Sequence, residues 1–203
     1  WINHSIRSIP FSEAQHDPRV KIGSSQCTKP YEASLFNISA MSYGSLSKNA
    51  IIALNEGAKR GGFFHNTGEG GLSPYHLQGG DVVWNIGTGY FSCRNFDGTF
   101  NVDEYEKRAL LDNVKMIEIK FSQGAKPGHG GILPKEKVTD EIAAIRLVSK
   151  GKDILSPPTH SAFSTPLELM EFVKLLRKGS EGKPIGIKIC IGNKSEFLSI
   201  CKA

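Results

Sequence analysis

Two hydrophobic periods alternate along most of this chain, and each change of period marks a new strand or helix. Apolar residues that recur every three or four positions indicate helices, whereas short apolar or alternating runs indicate strands. This pattern predicts strands over 35–41, 63–66, 115–121 and 185–191. It predicts helices from Leu46 to the Gly61-Gly62 pair and over 102–113, 138–148, 165–178 and 194–201.

The helix after residue 164 has the clearest boundary signals. In "TPLE", Thr165 is a capping residue, Pro166 suits the first helical position and Glu168 completes a capping box. The pair Lys178-Gly179 is typical of a helix end. Thr139 is a candidate cap for the preceding helix.

Two further segments complete the pattern. Residues 82–94, "VVWNIGTGYFSCR", have two β-rich halves around a Gly-Thr-Gly sequence and predict a hairpin. Residues 1–33 contain three prolines and no sustained period, so we expect an extended arm.

Alternating strands and helices favour a parallel α/β architecture. In "MIEIKF" the apolar residues Ile117, Ile119 and Phe121 share one face, while Glu118 and Lys120 share the other. A doubly wound sheet, covered on both sides, favours two apolar faces. A barrel fits better, with the isoleucines against helices and the polar face inside. We expect an N-terminal arm (1–33) followed by about four β/α units (34–203), the first part of a (β/α)8 TIM barrel.

A lysine inside a barrel is costly without an anionic partner or ligand. Lys120 and Lys188 are therefore candidate functional residues. The alternative is that Glu118 or another carboxylate simply neutralises them.

Composition excludes several classes of protein. The 203 residues carry 25 Lys and Arg against 20 Asp and Glu, and the basic residues are scattered rather than clustered as in a nucleic-acid site. The four cysteines form no C-x-x-C pair, so their spacing predicts no zinc or iron–sulfur site. The apolar runs are too short to span a bilayer, which favours a cytoplasmic protein, although the first residue is Trp1 and a membrane anchor upstream in a longer parent stays open.

Three loops that follow strands are rich in glycine and in hydroxyl or amide groups: "SYGSLS" (42–47), "HNTGEGG" (65–71) and "SQGAKPGHGG" (122–131). Such loops let backbone N–H groups approach a ring edge, a phosphate or a carboxylate. None has the order of a P-loop or of a dinucleotide-binding G-x-G-x-x-G fingerprint, so binding of ATP or an adenine dinucleotide is not predicted.

Five ordered motifs carry a resemblance: "SAMSYGSLS", "NTGEGG", "QGAKPGHGG", "SPPTH" and "IGIKI". Their order and approximate spacing resemble the FMN-binding central domain of the glutamate synthase large subunit and its stand-alone relatives, from about residue 27 to the end. The resemblance implies an FMN-binding (β/α)8 barrel. It also implies hydride transfer from reduced FMN to 2-iminoglutarate, which forms from 2-oxoglutarate and ammonia.

Site residues follow from the same resemblance. It implies cofactor contacts at Ala40, Met41, Ser42, Asn66, Thr67, Gly68, Lys120 and Lys188. The glycines would leave room for the flavin ring and the substrate beside it. Glu69 matches the motif carboxylate near the substrate, and Gln123 and Lys126 match contacts to 2-oxoglutarate. Glu69 and Lys126 are thus the candidate catalytic residues, and Arg146 matches a carboxylate-binding arginine. No metal ligand is predicted, and any iron–sulfur cluster would lie outside this chain.

One departure keeps the substrate open. Longer family members have a glutamine where this chain has Ile132, which favours the alternative of an FMN-dependent oxidoreductase acting on another substrate. The electron donor and the ammonia source are also open. A third alternative is an inactive half-barrel, whose open edge would favour self-association.

Overall fold

A computed structural model describes residues 6–13, 16–121 and 130–202, and it has a mixed α/β fold. The chain forms, in order, β1 (Arg19–Ile22), β2 (Tyr31–Ser34), α1 (Lys48–Gly61), β3 (Phe64–Asn66), β4 (Asp81–Ile86), α2 (Val102–Ala109), β5 (Val114–Lys120), β6 (Ile132–Leu133), α3 (Asp140–Arg146), β7 (Ile154–Leu155), α4 (Pro166–Gly179), β8 (Ile185–Lys188) and α5 (Lys194–Lys202). Short 3-10 turns occupy Phe11–Glu13, Pro74–His76 and Lys135–Lys137.

The central sheet has four parallel strands in the order β3-β4-β5-β8. A parallel bridge between Ile38 and His65 adds the predicted first strand, which is reduced to this single contact. Spatial order therefore follows chain order, an arrangement compatible with part of a β/α barrel. It confirms the expectation of an α/β fold with a parallel sheet.

The face of the sheet that carries Ile117 and Ile119, called the outer face here, packs against helices, as the isoleucine pattern predicted. Ile117 and Ile119 are fully buried with Trp84 in one apolar cluster. Tyr105 of α2 and Leu176 of α4 cover this cluster. Continuous apolar packing on this side holds α2 and α4 against the strands.

The opposite face of the sheet, which carries Glu118 and Lys120 and is called the inner face here, has an apolar layer and a polar layer. At the amino ends of the strands, Phe64, Val83 and Met116 pack against Tyr31 and Ala33 of β2. The antiparallel β1–β2 pair thus covers this end of the inner face. Sequence analysis missed both four-residue strands, β1 inside the expected arm and β2 across its end, and the domain boundary at residue 33 stays a prediction.

Helix boundaries agree with the local signals. Thr165 and Glu168 form the capping box of α4, and the Thr139 side chain accepts a hydrogen bond from Ile142 N at the start of α3. The helix predicted over 102–113 ends at Ala109, and the strand predicted over 185–191 ends at Lys188.

The predicted hairpin over 82–94 is wrong. Its first half is β4, which pairs in parallel with β3 and β5, and its second half is a buried loop. Tyr90 and Ser92 in this loop have positive φ angles of 48° and 71°, which no continuous strand contains. The second half is apolar because Tyr90 and Phe91 are buried in clusters, not because it forms a strand. The short antiparallel pair β6–β7 was also missed.

Within the described ranges, no helix combines the length and the apolar character needed to cross a membrane.

Candidate active site

A polar cavity of about 200 Å³ lies beside the carboxyl ends of β3 and β5. It brings together three predicted site residues, Ser42, Glu69 and Arg146. Its walls are formed by Ser42, Ser45, Glu69, Gly70, Phe91, Gly131, Ile132, Leu133, Arg146 and Ser156. Carboxyl strand ends are where β/α folds carry their ligand sites.

Glu69 and Lys120 form an ion pair at this cavity. Lys120 Nζ donates to Glu69 Oε2 at 2.7 Å, and the two side chains are 15% and 19% exposed for Lys120 and Glu69, respectively. The carboxylate that neutralises Lys120 is thus Glu69, from the loop after β3, and not its strand neighbour Glu118. The pair places a carboxylate and an ammonium group together at the cavity, where either can exchange a proton with a bound substrate.

Arg146 places a buried cation in the cavity wall. The residue is 6% exposed, its Nη2 donates to Tyr43 O at 3.2 Å, and its guanidinium lies 5.0 Å from the centre of the Phe91 ring. Burial lowers the pKa of Arg146, and the Glu69 charge partly opposes that shift. No carboxylate of the described residues lies within ion-pair distance of it, and its Nε has no hydrogen-bond partner there. A buried guanidinium in this state can bind a carboxylate of a small ligand.

A hydrogen-bonded network covers the polar layer of the inner face. Glu118 Oε1 accepts from Asn66 Nδ2 at 2.9 Å and from Asn85 Nδ2 at 2.7 Å. Thr67 Oγ1 accepts from Asn85 N at 3.0 Å, which ties the predicted Asn66-Thr67 pair to β4. The Asn85 Oδ1 atom is buried and has no partner among the described residues.

Sequence reasoning missed Asn85 and Glu118 as parts of the site. The available signal was their position: each is a polar residue between two buried isoleucines or aromatics on a core strand. Lys188 lies in register with Lys120 on the same face, but it is exposed and forms no ion pair within the described part of the chain.

The glycines of "HNTGEGG" are required by the chain itself. A Cβ on Gly68, whose φ is +65°, would lie 2.9 Å from Ser42 N, and one on Gly70 would lie 2.9 Å from Tyr43 O. A Cβ on Gly71 would lie 2.2 Å from Ser92 Oγ. Close packing within the protein therefore already accounts for these glycines, and the interpretation that they also leave space for a ring stays a prediction. A backbone contact from Gly68 to a cofactor stays a prediction.

The segment with Ala40, Met41 and Ser42 is fixed by β3 and by His76. Met41 N donates to Asn66 O at 3.1 Å, and His76 Nε2 lies 2.9 Å from Met41 O. A carbonyl only accepts, so His76 carries its proton on Nε2. Its Nδ1 then accepts from Ser73 Oγ at 2.8 Å, and burial lowers the pKa of His76, which keeps the ring neutral.

His160 fixes the end of β5 in the same way. Its Nε2 donates to Lys120 O at 2.8 Å, and Nδ1 accepts from the Tyr90 hydroxyl at 3.0 Å. Burial lowers the pKa of His160 as well. This histidine therefore positions the backbone that carries Lys120.

Gln123 and Lys126 lie outside the described residues, so their predicted contacts to substrate stay predictions. Across 6–13, 16–121 and 130–202, no three His, Cys, Asp or Glu side chains are arranged to hold a metal ion.

Sequential parallel strands with an ion pair and a buried arginine at their carboxyl ends define the class, an α/β protein with a candidate ligand site at the carboxyl end of a parallel sheet. Comparison with known proteins gives the family. Residues 3–203 match the conserved region in glutamate synthase, and the chain belongs to this family.

Individual relatives agree with this assignment. The chain is 43% identical over 195 residues to the glutamate synthase large subunit-like protein YerD of Bacillus subtilis (strain 168), a match that covers 95% of this chain and 37% of YerD. It is 37% identical over 153 residues to the archaeal-type glutamate synthase [NADPH] of Thermotoga maritima, covering 74% of this chain and 27% of that protein. It is 32% identical over 161 residues to the glutamate synthase [NADPH] large chain of Bacillus subtilis (strain 168), covering 76% of this chain and 10% of that protein. The chain therefore spans little more than a third, or less, of these relatives.

Proposed function

We propose that this chain is part of an FMN-dependent, glutamate synthase-like oxidoreductase that reduces 2-iminoglutarate, formed from 2-oxoglutarate and ammonia. The observation that carries the proposal is Arg146, a buried cation beside Glu69 in a polar cavity, with no carboxylate partner among the described residues. A substrate carboxylate supplies the charge that this guanidinium lacks. Membership of the glutamate synthase family supports the same reaction.

The described residues fit FMN. The orphaned Asn85 Oδ1 can accept a hydrogen bond from an N–H group on the edge of a flavin ring, and the in-register Lys120 and Lys188 can donate to its oxygens. Ala40, Met41, Ser42, Asn66, Thr67 and Gly68 are the other proposed cofactor contacts. FMN, when bound, supplies the hydride.

The protein's own part in the reaction is to orient the substrate and move a proton. Arg146 binds a carboxylate and fixes the substrate against the cavity wall. Glu69, held by Lys120, exchanges a proton with the substrate nitrogen, which must gain one when the C=N bond is reduced. Lys126 and Gln123 are proposed to bind the rest of the 2-oxo acid.

A second candidate is the same chemistry on a different 2-oxo acid. Ile132 lines the cavity with an apolar side chain that is 63% exposed, so this wall offers no polar contact to a second carboxylate. A 2-oxo acid with an apolar side chain would suit that wall. Competition between substrates separates the two candidates.

The decisive experiment uses the full-length protein loaded with FMN and reduced in the absence of oxygen. Reoxidation by 2-oxoglutarate plus ammonia is measured for the parent protein, Arg146→Met and the control Arg60→Met, which changes an exposed residue of α1. Loss of a buried charged contact costs about 2–5 kcal/mol, so we expect Arg146→Met to raise the apparent KM at least about 30-fold. Rapid reoxidation with an unchanged KM would overturn the role of Arg146. A failure of the parent protein with 2-oxoglutarate, together with success on an apolar 2-oxo acid, would favour the second candidate.

The exposed edge of β8 carries a separate proposal. β8 is the last strand of the four-stranded sheet and its Ile187 is 38% exposed, so this edge can pair with a further strand or with another copy of the chain. Sedimentation of this 203-residue chain against the full-length protein tests it, because only the isolated chain should associate through this edge.

A further inference from the structure

A second cavity, of about 270 Å³, lies at the opposite end of the sheet from the candidate active site. Its lining includes three lysines and one aspartate, Lys29, Lys115, Lys183 and Asp112. Lys115 is near the start of β5 and Lys120 is at its end, so about 16 Å of strand separates the two sites. The proposed oxidoreductase function uses none of these residues.

Lys183 is buried in the wall of this cavity. It is 7% exposed, and its Nζ donates to Ala109 O at 2.5 Å and to Leu111 O at 2.9 Å. A neutral amine has two N–H donors, so it keeps both of these hydrogen bonds when it loses a proton. The lone pair is then free to react, and the amine is held in one place by two backbone carbonyls.

The surroundings of Lys183 as a whole favour its neutral form. Burial is the largest effect, and Lys29 and Lys115 add repulsion that Asp112 and Glu181 only partly offset. Together they lower the pKa of Lys183 to about 8. At pH 7.5 about a quarter of such an amine is neutral, compared with about 0.1% of an ordinary lysine.

The other two lysines of the cavity, Lys29 and Lys115, can still bind an anion. Lys29 pairs with Glu181 at 2.6 Å, but both of these side chains are at least half exposed. Lys115 lies 3.9 Å from Asp81, which is at the limit of an ion pair. A phosphate group in the cavity can therefore contact both ammonium groups.

We propose that this cavity binds a small acyl phosphate and that Lys183 is acylated there. The Nζ lone pair forms a bond to the acyl carbonyl carbon, and the bond from that carbon to the phosphate oxygen breaks. Inorganic phosphate leaves with the electron pair, and one amine proton passes to solvent. The product is an amide on Lys183, with no oxidation or reduction.

The test is peptide mass spectrometry of the purified protein after incubation with acetyl phosphate at pH 7.5. Lys150, an exposed lysine that pairs with Asp140, serves as an internal reference. We expect Lys183 to be acetylated at least about five times faster than Lys150, because lowering the pKa of an amine activates it as a nucleophile. The rate at Lys183 should level off above about pH 8, whereas an ordinary lysine continues to react faster up to about pH 10. Equal or slower acetylation of Lys183 would overturn the proposal.

Two further arms test the cavity itself. Inorganic phosphate should protect Lys183 and leave Lys150 unprotected. In the double variant Lys29→Gln/Lys115→Gln, phosphate should no longer protect Lys183, while the matched surface variant Lys174→Gln should keep the protection. Fast acetylation of Lys183 that phosphate does not slow, or protection that survives in the double variant, would show a reactive lysine without this anion site, and would also overturn the proposal.

Discussion

Lys120 Nζ and Glu69 Oε2 lie 2.7 Å apart, and this ion pair joins the last residue of β5 to the loop that follows β3. The two residues are 51 positions apart in sequence, so the pair fixes the loop against the sheet over a long range. Both side chains are mostly buried, which makes the pair sensitive to the loss of either partner.

A double-mutant cycle measures the strength of this pair. We expect Lys120→Met and Glu69→Gln each to lower the free energy of unfolding, since each removes one member of a mostly buried ion pair. The coupling between them should be about 1–3 kcal/mol, less than for a fully buried pair because solvent still reaches the site. Denaturant unfolding of the parent, both single variants and the double variant gives this number.

The control cycle uses Lys174 and Glu171, whose atoms are 2.6 Å apart but whose side chains are 62% and 71% exposed. Its coupling should stay below about 0.5 kcal/mol. Equal coupling in both cycles would contradict the idea that burial strengthens the Glu69–Lys120 pair.

Gly70 should tolerate no side chain. In Gly70→Ala the new Cβ would lie 2.9 Å from Tyr43 O and 3.0 Å from Arg146 Nη2, so the loop or the arginine must shift. We expect a loss of roughly 1–3 kcal/mol in the free energy of unfolding. Gly57 in α1 is the matched control, because a Cβ there meets nothing within 4 Å. Gly57→Ala should be neutral or stabilise by up to about 1 kcal/mol, and a similar loss at both positions would contradict the steric explanation.

How far sequence reasoning reaches depends on how local each signal is. The capping box at Thr165 and Glu168 uses contacts within one turn, and the structure contains it as predicted. Alternation around Ile117 and Ile119 correctly predicted which face of β5 meets the helices. The hairpin prediction failed at residues 87–94 because their apolar side chains serve tertiary packing. An apolar run alone does not distinguish a strand from a buried loop.

The candidate site shows the same limit. Motif resemblance selected Glu69, Lys120 and Arg146, and the structure brings all three to one region. Asn85 belongs to no motif used for the resemblance, and its importance follows only from the shared Glu118 acceptor. Residues that come together from strands far apart in sequence have no characteristic sequence spacing, so a motif search does not find them.

The burial of His65 predicts that the protein loses stability in mild acid. Its ring is fully buried, and burial, with a smaller contribution from His76, lowers its pKa to about 4. In the unfolded chain the pKa is near 6.5, so the unfolded state takes up a proton first as the pH falls. The free energy of unfolding therefore keeps its full contribution from neutral His65 above about pH 6.5. It falls progressively between about pH 6.5 and about pH 4, by up to about 3 kcal/mol.

The slope of unfolding free energy against pH measures this effect. His76 and His160 shift in the same direction, so the parent protein should take up several protons on unfolding near pH 5. His65→Phe should reduce that uptake by about one proton. An unchanged slope in His65→Phe would contradict the prediction.

Tyr43 and Glu141 connect the first loop to α3. The Tyr43 hydroxyl donates to Glu141 Oε2 at 2.6 Å, the Tyr75 hydroxyl donates to Oε1, and the same Tyr43 accepts from Arg146 through its backbone oxygen. We expect Glu141→Gln, which has one acceptor oxygen in place of two, to let α3 shift and to weaken binding of the proposed substrate 2-oxoglutarate by about tenfold. Isothermal titration of the full-length protein measures the affinity.

Glu136→Gln is the control for this variant, because Glu136 lies in the exposed 3-10 turn just before α3. It should leave the affinity unchanged. Equal affinities for the parent and Glu141→Gln would mean that Arg146 does not depend on this connection.

The packing of β2 against the inner face also has a consequence for synthesis of the chain. Tyr31 and Ala33 leave the ribosome well before Met116, the last strand residue of the cluster that they cover. At about 5–20 residues per second, the hairpin waits on the order of ten seconds for its binding surface to be made. The apolar side chains of Tyr31 and Ala33 lack part of their cover during that time, so a nascent chain stalled before β5 exposes an apolar surface that the finished protein buries.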